Sequence, residues 1–534
     1  MCKPCTLIVN NIVLPLDASF EEAFSVARAK LKRCGIAGTA QTYGIYRKSI
    51  DARKKDNIKF VYSVSVCGQF SDTEIDTAKS SGITILKDEQ IEFKPCSTSD
   101  GDPICVVGSG PCGLFCALTL AEHGYKVTLL ERGESISKRN EAVERFKRDR
   151  VLDTNSNIQF GAGGAGTFSD GKLITRINDS MSGYVLKKFV EFGAPAEILY
   201  QAKPHIGTDI LSKIVDAMLS RILELGSKVM YNTTFLDFTE NAGKISVVKT
   251  NKGDIPCYAL VLAIGHSARD TYVKLIERNI DIIAKDFSVG MRIEHSTEII
   301  DNGMYGKFAG HMALGHAEYA LSYNTATRGV YTFCMCPGGV VVPAASEEGG
   351  VVVNGMSYHK RDGRNSNSAL CCSIFRSDYG ATPQKAIEFQ RSIEKAAFLA
   401  AGSDYSAPFI TVGDFLNDEC KTMPTDILPT YMDGEGVKLV HPSKYLSKTV
   451  VDSIKGGILD FDRKIKGFAT KSAILTGPET RTSSPVRILR DAGTRLCIGY
   501  TNLYPSGEGA GYAGGITSAA IDGIKTALAI MNNQ

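Results

Sequence analysis

The glycine-rich stretch VGSGPCGLFC, residues 107–116, constrains the fold of this chain more than any other feature. Gly108, Gly110 and Gly113 have the G-x-G-x-x-G spacing, which lets the backbone turn tightly, approach a pyrophosphate and start a helix whose N-terminus faces the phosphates. An apolar run typical of a strand precedes the stretch, and a helical apolar stripe follows it. This first glycine loop, residues 108–113, therefore predicts a dinucleotide-binding βαβ unit, with a purely structural βαβ unit as the alternative.

A carboxylate follows the second predicted strand of this unit. That strand covers Lys126 to Leu130 and ends at Glu131, 23 residues after Gly108. A carboxylate at this distance can accept hydrogen bonds from the hydroxyl groups of an adenosine ribose. We therefore predict that Glu131 binds the adenosine half of a dinucleotide.

The pieces of the predicted nucleotide-binding sheet are scattered along the chain. Residues 259–264 and 496–498 are apolar runs typical of further buried strands, so other segments must be inserted between parts of one sheet. The length of 534 residues allows about three or four domains. We predict an α/β fold with a Rossmann-like domain built from discontinuous segments, an inserted mixed α/β domain and a small N-terminal α+β domain. The expected domains are 1–98 (N-terminal), 103–284 and 466–534 (Rossmann-like) and 285–465 (inserted).

Local patterns predict the secondary structure of the outer domains. Ser19 is a plausible N-cap of a helix that reaches Arg33, because Glu21 and Glu22 follow it in the first turn. The polar stretch Ser97 to Asp102 is the clearest linker. Other expected elements are N-terminal strands at 6–16, 43–47 and 60–66, and, in the inserted domain, strands at 339–342 and 351–353 and a helix at 383–401.

The charge of the chain is nearly balanced, but its distribution is uneven. The formal net charge is +3; residues 1–98 hold 14 lysines and arginines against 11 aspartates and glutamates, and the rest of the chain holds 47 of each. The basic residues are densest between residues 25 and 59. This pattern is typical of a solvated surface, and it leaves open a nucleic-acid partner for the N-terminal domain.

Two more glycine-rich stretches indicate further ligand contacts. The second glycine loop, GAGGAGTFSDGKL at 161–173, leaves many backbone N–H groups accessible to phosphates or a flat ring. The third glycine loop, LYPSGEGAGYAGGI at 503–516, leads into an apolar-faced helix. The bare N–H groups at the start of that helix could stabilise negative charge on a flavin ring. The alternative for the second glycine loop is a flexible surface loop. The alternative for the third is a site of tight helix–sheet packing.

The cysteines indicate a reduced protein without a dithiol next to the βαβ unit. Residues 117–256 contain no cysteine, which disfavours a flavin disulfide reductase, and the single CxxC at Cys2 and Cys5 makes a zinc site unlikely. Cys334 and Cys336 in FCMCPGG would share one face of a strand. We interpret them as two buried apolar thiols, with a strained disulfide as the alternative. His205 and His266 are interpreted as structural, and we predict no metal.

Three sequence patterns are missing, and their absence bears on where the protein is located and on what supplies its electrons. No apolar run of about 18 residues predicts a transmembrane helix, and no leader typical of secretion is evident, so we expect a cytoplasmic protein. A second G-x-G-x-x-G for a dedicated NAD(P)H domain is also missing. Electrons would then come from transiently bound NAD(P)H or from the substrate.

Together these motifs resemble the bacterial FAD-dependent protein family described as NAD(P)/FAD-dependent oxidoreductases or FAD-dependent dehydrogenases, related to the glutathione-reductase-like flavoproteins. The resemblance covers most of the chain and rests on these segments: VGSGPCG, LLERG, PHIGTD, QFGAGGAGTFSDGKL, ALVLAIGHSARDTY, VGMRIEH, FCMCPGG, residues 345–350, RTSSPVRI and YPSGEGAGYAGG. One departure is Ala162, where an acidic residue is more usual, so no carboxylate role is expected there.

The resemblance implies a set of FAD-binding residues. Glu131 would bind the ribose, Arg132 and Arg139 would lie near the adenosine, Phe235 would offer backbone contacts to adenine, and Gly265 would close the crevice. The pyrophosphate would be held by Gly108, Gly110, Pro111, Cys112 and Gly113. The flavin and its phosphates would be approached by Gly164, Thr167, Asp170 and Lys172, and the ribityl and pyrimidine end by Gly507, Glu508, Gly514, Gly515 and Ile516.

The resemblance implies an FAD-dependent oxidoreductase with a small-molecule substrate, but it supplies no reaction. Arg292, His295, Cys334 and Cys336 are candidate lining residues on the substrate side, and the catalytic residues stay unknown. Two alternatives remain open: a flavoprotein that binds or modifies RNA through the basic N-terminal domain, and a non-catalytic FAD-binding redox sensor.

Overall fold

The structure is a computed structural model that describes residues 2–86, 91–96, 101–175 and 179–533. The strands in chain order are β1 Cys2–Leu14, β2 Thr39–Asp51, β3 Lys59–Ser71, β4 Thr84–Leu86, β5 Ile104–Val107, β6 Val127–Leu130, β7 Lys228–Met230, β8 Phe235–Asn241, β9 Lys244–Thr250, β10 Gly253–Pro256, β11 Ala259–Leu262, β12 Ile282–Ala284, β13 Phe287–Ser296, β14 Ser322–Asn324, β15 Gly329–Cys336, β16 Val340–Pro343, β17 Val353–Met356, β18 Asn365–Ile374, β19 Ala407–Thr411, β20 Val437–Leu439, β21 Ile474–Glu479, β22 Val486–Ile488 and β23 Leu503–Pro505. The helices are α1 Phe20–Arg33, α2 Asp72–Ser80, α3 Pro111–Glu122, α4 Ile136–Asp149, α5 Met181–Glu191, α6 Thr208–Glu224, α7 Arg269–Glu277, α8 Thr297–Tyr305, α9 Arg376–Tyr379, α10 Pro383–Ala400, α11 Val412–Leu416, α12 Lys448–Lys464 and α13 Ile516–Asn532. The predicted linker at Ser97 to Asp102 falls largely outside the described residues, which resume at Gly101.

The chain divides into two compact units. The first contains Met1–Glu92, Pro195–His205 and Asp301–Ala317, and the second contains Phe93–Ala194, Ile206–Ile300 and Glu318–Gln534. Both units are therefore built from separate stretches of the chain. The four domain segments expected from the sequence stay predictions beside this division.

The first unit has an antiparallel sheet in the order β2-β3-β1-β4. Buried and partly exposed residues alternate along β3, as expected where one face of a sheet covers a core. Ser19 caps α1, because its hydroxyl accepts a hydrogen bond from the backbone N–H of Glu22 at 3.3 Å. The predicted N-terminal α+β fold is confirmed.

The second unit contains a parallel five-stranded sheet in the order β23-β11-β5-β6-β7. Its central strands β5, β6 and β11 are short and buried along their whole length, which fits a sheet covered on both faces. The predicted Rossmann-like domain of discontinuous segments is confirmed. The prediction of a sheet strand at Leu496 to Ile498 was wrong, because the buried strand at this edge is β23, while Cys497 forms only an isolated bridge to Arg490.

A seven-stranded sheet in the order β14-β15-β18-β13-β21-β19-β20 belongs to the same unit. It is mostly antiparallel, with β19 and β20 parallel. Helix α10 packs against β19, and α12 packs against β18. This mixed α/β arrangement matches the fold class expected for the inserted segment.

Candidate functional site

The first glycine loop joins β5 to α3 in a turn that only glycine fits. Gly108 has a left-handed φ of 98°, and a Cβ there would lie 2.4 Å from the carbonyl oxygen of Ala263. A Cβ at Gly113 would lie 1.9 Å from the carbonyl oxygen of Gly108. Helix α3 begins at Pro111 with Gly110 as its N-cap, so no side chain covers its first N–H groups. This helix start is suited to an anion.

The second and third glycine loops meet the first one. A Cβ at Gly164 would lie 2.9 Å from the Cα of Gly110, and a Cβ at Gly507 would lie 2.7 Å from the Cβ of Cys112. The hydroxyl of Thr517, just after the third loop, donates to the carbonyl oxygen of residue 173 at 2.8 Å. Three segments that are far apart in sequence, residues 108–113, 161–173 and 503–516, therefore share one site.

The N-terminus of α13 opens onto free space beside these loops. Gly515 is its N-cap and has no side chain to cap the helix. Gly514 and Gly515 are exposed, and a Cβ at Gly514 would meet no heavy atom of the described chain within 4 Å. Ile516, the first residue of the helix, is buried. A helix of 17 residues thus presents uncapped N–H groups and the positive end of its dipole to this space.

Glu131 is buried and accepts four hydrogen bonds from the protein. One carboxylate oxygen accepts from the backbone N–H of Ser109 at 3.0 Å and from its hydroxyl at 2.6 Å. The other accepts from the backbone N–H groups of Gly133 and Gly161, both at 2.9 Å. The carboxylate therefore also ties the first and second glycine loops together. A ligand hydroxyl would have to take the place of one of these donors, since a carboxylate has about four acceptor positions.

Two arginines that the resemblance places near the adenosine have partners within the protein. Arg132 donates to both carboxylate oxygens of Asp270, at 2.9 and 2.8 Å, and lies over the ring of Phe160. Arg139 is fully buried and donates to Thr167 at 2.6 Å and to the carbonyl oxygens of residues 157, 158, 161 and 162. Arg139 thus holds the second glycine loop in shape.

Phe235 and Gly265 lie around the same sheet. Phe235 is buried at the start of β8 within the apolar core that contains Leu260 and Leu503. Gly265 follows β11 with a φ of 70°, and a Cβ at Gly509 would lie 2.6 Å from its carbonyl oxygen. Gly265 therefore lies against the third glycine loop.

Asp170 and Lys172 belong to a buried charge cluster at the end of the second glycine loop. Asp170 pairs with Lys172 and with Arg361, whose Nε lies 2.9 Å from its carboxylate. Lys172 and Arg361 also contact Glu318, at 3.3 and 2.7 Å. Although burial alone would raise it, the pKa of Asp170 is lowered to about 2 by these two cations. The cluster is close to electroneutral, with two cations and two carboxylates.

Glu508 is the acidic group of the third glycine loop. Burial raises the pKa of its carboxyl to about 7, and nearby Lys285 opposes this shift. Its Oε1 lies 3.7 Å from Nδ1 of His266. Burial, together with Arg481 and Arg269, lowers the pKa of His266 to about 3, so this imidazole is neutral at pH 7 and the contact is not an ion pair. Glu508 can therefore hold or release a proton close to neutral pH.

The seven-stranded sheet brings together three of the four residues predicted to line the substrate side. Arg292 of β13 donates to the carbonyl oxygen of Cys334 at 2.8 Å and lies 3.9 Å from the sulfur of Cys336. His295 is buried elsewhere, where its Nε2 contacts the carbonyl oxygen of Phe468 at 2.8 Å. Cys336 is buried as expected, but the two thiols lie beside charged groups and not in an apolar core.

Comparison with known proteins gives the family. Residues 286–482 match the family model described as "FAD-dependent protein, C-terminal domain-like", and residues 106–166 match the NAD(P)-binding Rossmann-like domain. Residues 7–67 match a domain of unknown function. A Clostridium beijerinckii protein, described as uncharacterized, is 45% identical over 526 residues, which are 97% of each chain. This chain belongs to the family of FAD-dependent proteins. Two predictions are thereby confirmed at the level of the family. The cofactor is FAD, and the activity is that of an FAD-dependent oxidoreductase whose substrate is unknown.

Solved structures of other flavoproteins share distant similarity with this FAD-dependent protein. L-proline dehydrogenase from P. horikoshii is 14% identical, with a TM-score of 0.34 over 82% of this chain and 94% of its own. Glycine oxidase from Bacillus cereus is 12% identical, with a TM-score of 0.31 over 81% of this chain and 96% of its own.

Several residues around the site escaped the sequence analysis. Buried Arg269 and Arg481 both bind Glu394, with Arg269 at 2.7 and 2.8 Å. Arg481 also donates to Ser346, and Arg269 contacts Glu347 at 2.6 Å. The signal for them lay in the motifs at 259–272, 345–350 and 481–488, since these belong to the resemblance. This network joins the last two motifs to the segment that follows β11.

The basic N-terminal residues of this FAD-dependent protein partly engage their own unit. Arg53 pairs with Asp51 at 2.6 Å, and Lys55 donates to the carbonyl oxygen of Gly303. Lys48 lies 4.0 Å from the centroid of the Phe60 ring. A nucleic-acid partner of this unit stays a prediction.

The described residues contain neither a metal-binding cluster nor a membrane-spanning helix. Within them, no group of three or more histidine, cysteine, aspartate and glutamate side chains is placed to hold a metal ion. Within the same residues, no helix is both long and apolar enough to cross a membrane.

Proposed function

We propose that this protein is an FAD-dependent oxidoreductase for a small organic substrate, with FAD held between the three glycine loops. One observation carries the proposal: the loops converge at two uncapped helix N-termini, those of α3 and α13. The first suits a pyrophosphate, and the second suits the electron-rich edge of a flavin ring. Glycine at the points of contact keeps the backbone N–H groups within reach of such a ligand.

Each loop would take one part of the cofactor. Glu131 would bind the ribose by exchanging the Ser109 hydroxyl for a ribose hydroxyl. Arg139 and Thr167 would hold the second loop in shape, and Phe235 and Gly265 would border the crevice. The remaining predicted contacts would be Gly108, Gly110, Pro111, Cys112 and Gly113 with the pyrophosphate, Arg132 with the adenosine side, Gly164, Asp170 and Lys172 with the flavin side, and Gly507, Glu508, Gly514, Gly515 and Ile516 with the ribityl and pyrimidine end.

The bound FAD would supply two-electron transfer to or from the substrate. Glu508 would hold or release a proton in this site near neutral pH, because burial raises its pKa to about 7. Neutral His266, 3.7 Å away, would not compete for the proton of Glu508. The electrons would come from transiently bound NAD(P)H or from the substrate itself.

The proposal assigns a role to each long segment. Residues 103–284 and 466–534 would bind FAD, residues 285–465 would face the substrate, and residues 1–98 would serve a role independent of the cofactor. We also propose a cytoplasmic location, which the reduced state expected for the cysteines supports.

Purification of the full chain tests the proposal. The protein is expected to be yellow, and denaturation should release a flavin whose mass is that of FAD and not of FMN. Addition of NADH or NADPH without oxygen should then bleach the absorbance if a nicotinamide is the donor. A colourless protein, or release of FMN, would overturn the assignment of the adenosine-binding residues.

A further inference from the structure

A β-bulge shapes the segment that contains Cys334 and Cys336. In the pairing of β15 with β18, Phe333 lies opposite Ala369 and Cys336 opposite Asn367, so two residues of β15 face one residue of β18. Cys334 lies in the bulge with a φ of 44°, a left-handed conformation that L residues other than asparagine, aspartate and glycine rarely adopt. Bulges of this kind redirect side chains and are frequent next to functional sites.

The thiols of Cys334 and Cys336 lie within hydrogen-bond reach of each other. Successive residues of a regular strand advance about 3.3 Å, which separates alternate Cα atoms by about 6.6 Å, near the upper limit for a disulfide. The Cys336 thiol also donates to the backbone carbonyl oxygen of Cys334 at 3.3 Å.

A rigid cation lies against this pair. Arg292 is fully buried, and Glu479 holds it through two hydrogen bonds, at 2.5 and 3.0 Å. Asn354 and Asn367 accept further hydrogen bonds from it, at 2.8 and 3.0 Å. Its remaining contacts are the carbonyl oxygen of Cys334 and the sulfur of Cys336. Asn367 Nδ2 is buried and has no hydrogen-bond partner among the described residues, which leaves one donor unused next to the pair.

The electrostatic surroundings distinguish the two sulfurs. The hydrogen bond from the Cys336 thiol lowers the pKa of Cys334, and Arg292 and Lys172 lower it further, against burial and Asp170. The same hydrogen bond and burial raise the pKa of Cys336. Cys334 is partly exposed and Cys336 is buried. Of the two sulfurs, that of Cys334 therefore has the greater thiolate character, and that of Cys336 keeps its proton.

We propose that Cys334 and Cys336 form a thiol–disulfide exchange site, with Cys334 as the attacking thiolate, Cys336 as the resolving thiol, and a small-molecule disulfide as the substrate. The Cys334 thiolate attacks one sulfur of the substrate, which forms a mixed disulfide and releases the first substrate thiolate. Cys336 then loses its proton and attacks the Cys334 sulfur. This forms the Cys334–Cys336 disulfide and releases the second substrate thiol, so the substrate is reduced by two electrons and the protein oxidised by two.

A second pair of cysteines provides a matched control. Cys105 and Cys257 are both buried, and their thiols also hydrogen-bond to each other, which together with burial raises the pKa of Cys105. They lie in the apolar core of the Rossmann-like sheet. No arginine or lysine contributes to the raised pKa of Cys105. Proximity alone would make both pairs react, whereas the proposal requires the nearby arginine and the lowered pKa of one thiol.

The experiment uses the full-length FAD-loaded protein and glutathione disulfide as the probe. Residues 329–360 form a tryptic peptide with no other cysteine. In the wild type, this peptide should lose two hydrogens while two glutathione thiols are released. Cys336→Ser should stop with one glutathione on Cys334, and Cys334→Ser should not react in this peptide. Cys257→Ala should react like the wild type. An unreactive wild type, or equal reaction of Cys334→Ser, would refute the proposal.

Alkylation provides a second measurement that does not depend on disulfide formation. With limiting iodoacetamide at pH 6.5, Cys334 should react about tenfold or more faster than exposed Cys420, since one pKa unit changes the thiolate fraction about tenfold. Lys172→Met should slow Cys334 alone. Equal rates at both cysteines would overturn the role of Cys334. Bound FAD, followed by its absorbance in every sample, reports separately on the proposed oxidoreductase function.

Discussion

Ser109 directs both its backbone N–H and its hydroxyl at the same carboxylate oxygen of Glu131, at 3.0 and 2.6 Å. The other oxygen of Glu131 is taken by two backbone N–H groups. The hydroxyl is the only one of these four donors that can rotate away without moving the backbone. Ser109 therefore occupies the place that a ribose hydroxyl would need.

The variants Glu131→Ala and Ser109→Ala separate FAD binding from stability. Glu131→Ala leaves three buried N–H groups unpaired, and hydrogen bonds to charged groups contribute about 1.5–3 kcal/mol each, so both the melting temperature and FAD retention on dilution should fall. Ser109→Ala removes one rotatable donor and should lower the melting temperature by a few degrees at most, with FAD retained. Retention in Glu131→Ala at the wild-type level would show that another residue binds the ribose.

Alanine at Gly514 tests where the flavin ring binds. A Cβ there meets no heavy atom of the described chain within 4 Å, so the melting temperature of the FAD-free protein should not change. If the ring lies over this helix start, the added methyl should weaken FAD binding about tenfold or more, measured by fluorescence titration. Gly183→Ala, an equally open position in α5, is the control: it should leave FAD affinity unchanged and, because alanine favours a helix, should not lower the melting temperature. Unchanged FAD affinity in Gly514→Ala would place the ring elsewhere.

Some of the site could be predicted from sequence because its geometry is local. The spacing from Gly108 to Glu131 follows from the lengths of one strand, one helix and the next strand, so Glu131 could be predicted to face the first glycine loop. The partner of Asp170 could not be predicted, because Arg361 lies 191 residues away and no local pattern links them. The predicted strand at 496–498 failed for a related reason: a run of three apolar residues does not show which of two neighbouring runs joins a sheet.

The pKa of Glu508 predicts a pH-dependent change in stability. Its folded-state pKa of about 7 lies above the ordinary value of 4.5, so its stabilising contribution is complete below about pH 4.5 and is lost as the pH rises through 7. Glu508→Gln should therefore be more stable than the wild type at pH 8, by up to about 3 kcal/mol, and not at pH 4.5. Thermal unfolding at the two pH values measures this. Glu388→Gln, on the exposed face of α10, is the control, and a gain of equal size at both pH values would contradict the assignment.

Glu394 binds two buried arginines, Arg269 and Arg481. Of the substitutions discussed here, its removal should lower the stability of the fold most. Arg269 and Arg481 would keep their charges without this carboxylate, and breaking a buried pair from one side typically costs about 3–5 kcal/mol. Glu394→Ala should lower the free energy of unfolding by about that amount, measured in urea. Glu388→Ala on the same helix serves as the control and should change it by less than about 0.5 kcal/mol. Similar effects of the two substitutions would mean that the network contributes little.

The RNA-binding alternative makes a prediction about Arg53, Lys54 and Lys55. Each contact to a duplex phosphate contributes about 0.9 to the slope of log affinity against log salt, so replacing all three residues by alanine would flatten the slope by up to about 2.7. Arg53 already pairs with Asp51, and Lys55 with Gly303, so two of the three cations would have to give up partners within their own unit. We therefore expect no measurable binding of duplex RNA by the wild type at 0.15 M salt and no effect of the triple substitution. Filter binding from low to physiological salt measures both quantities, with Lys438→Ala as a surface control outside this region. Tight binding with a steep slope that the triple substitution flattens would instead make the N-terminal unit an RNA-binding module.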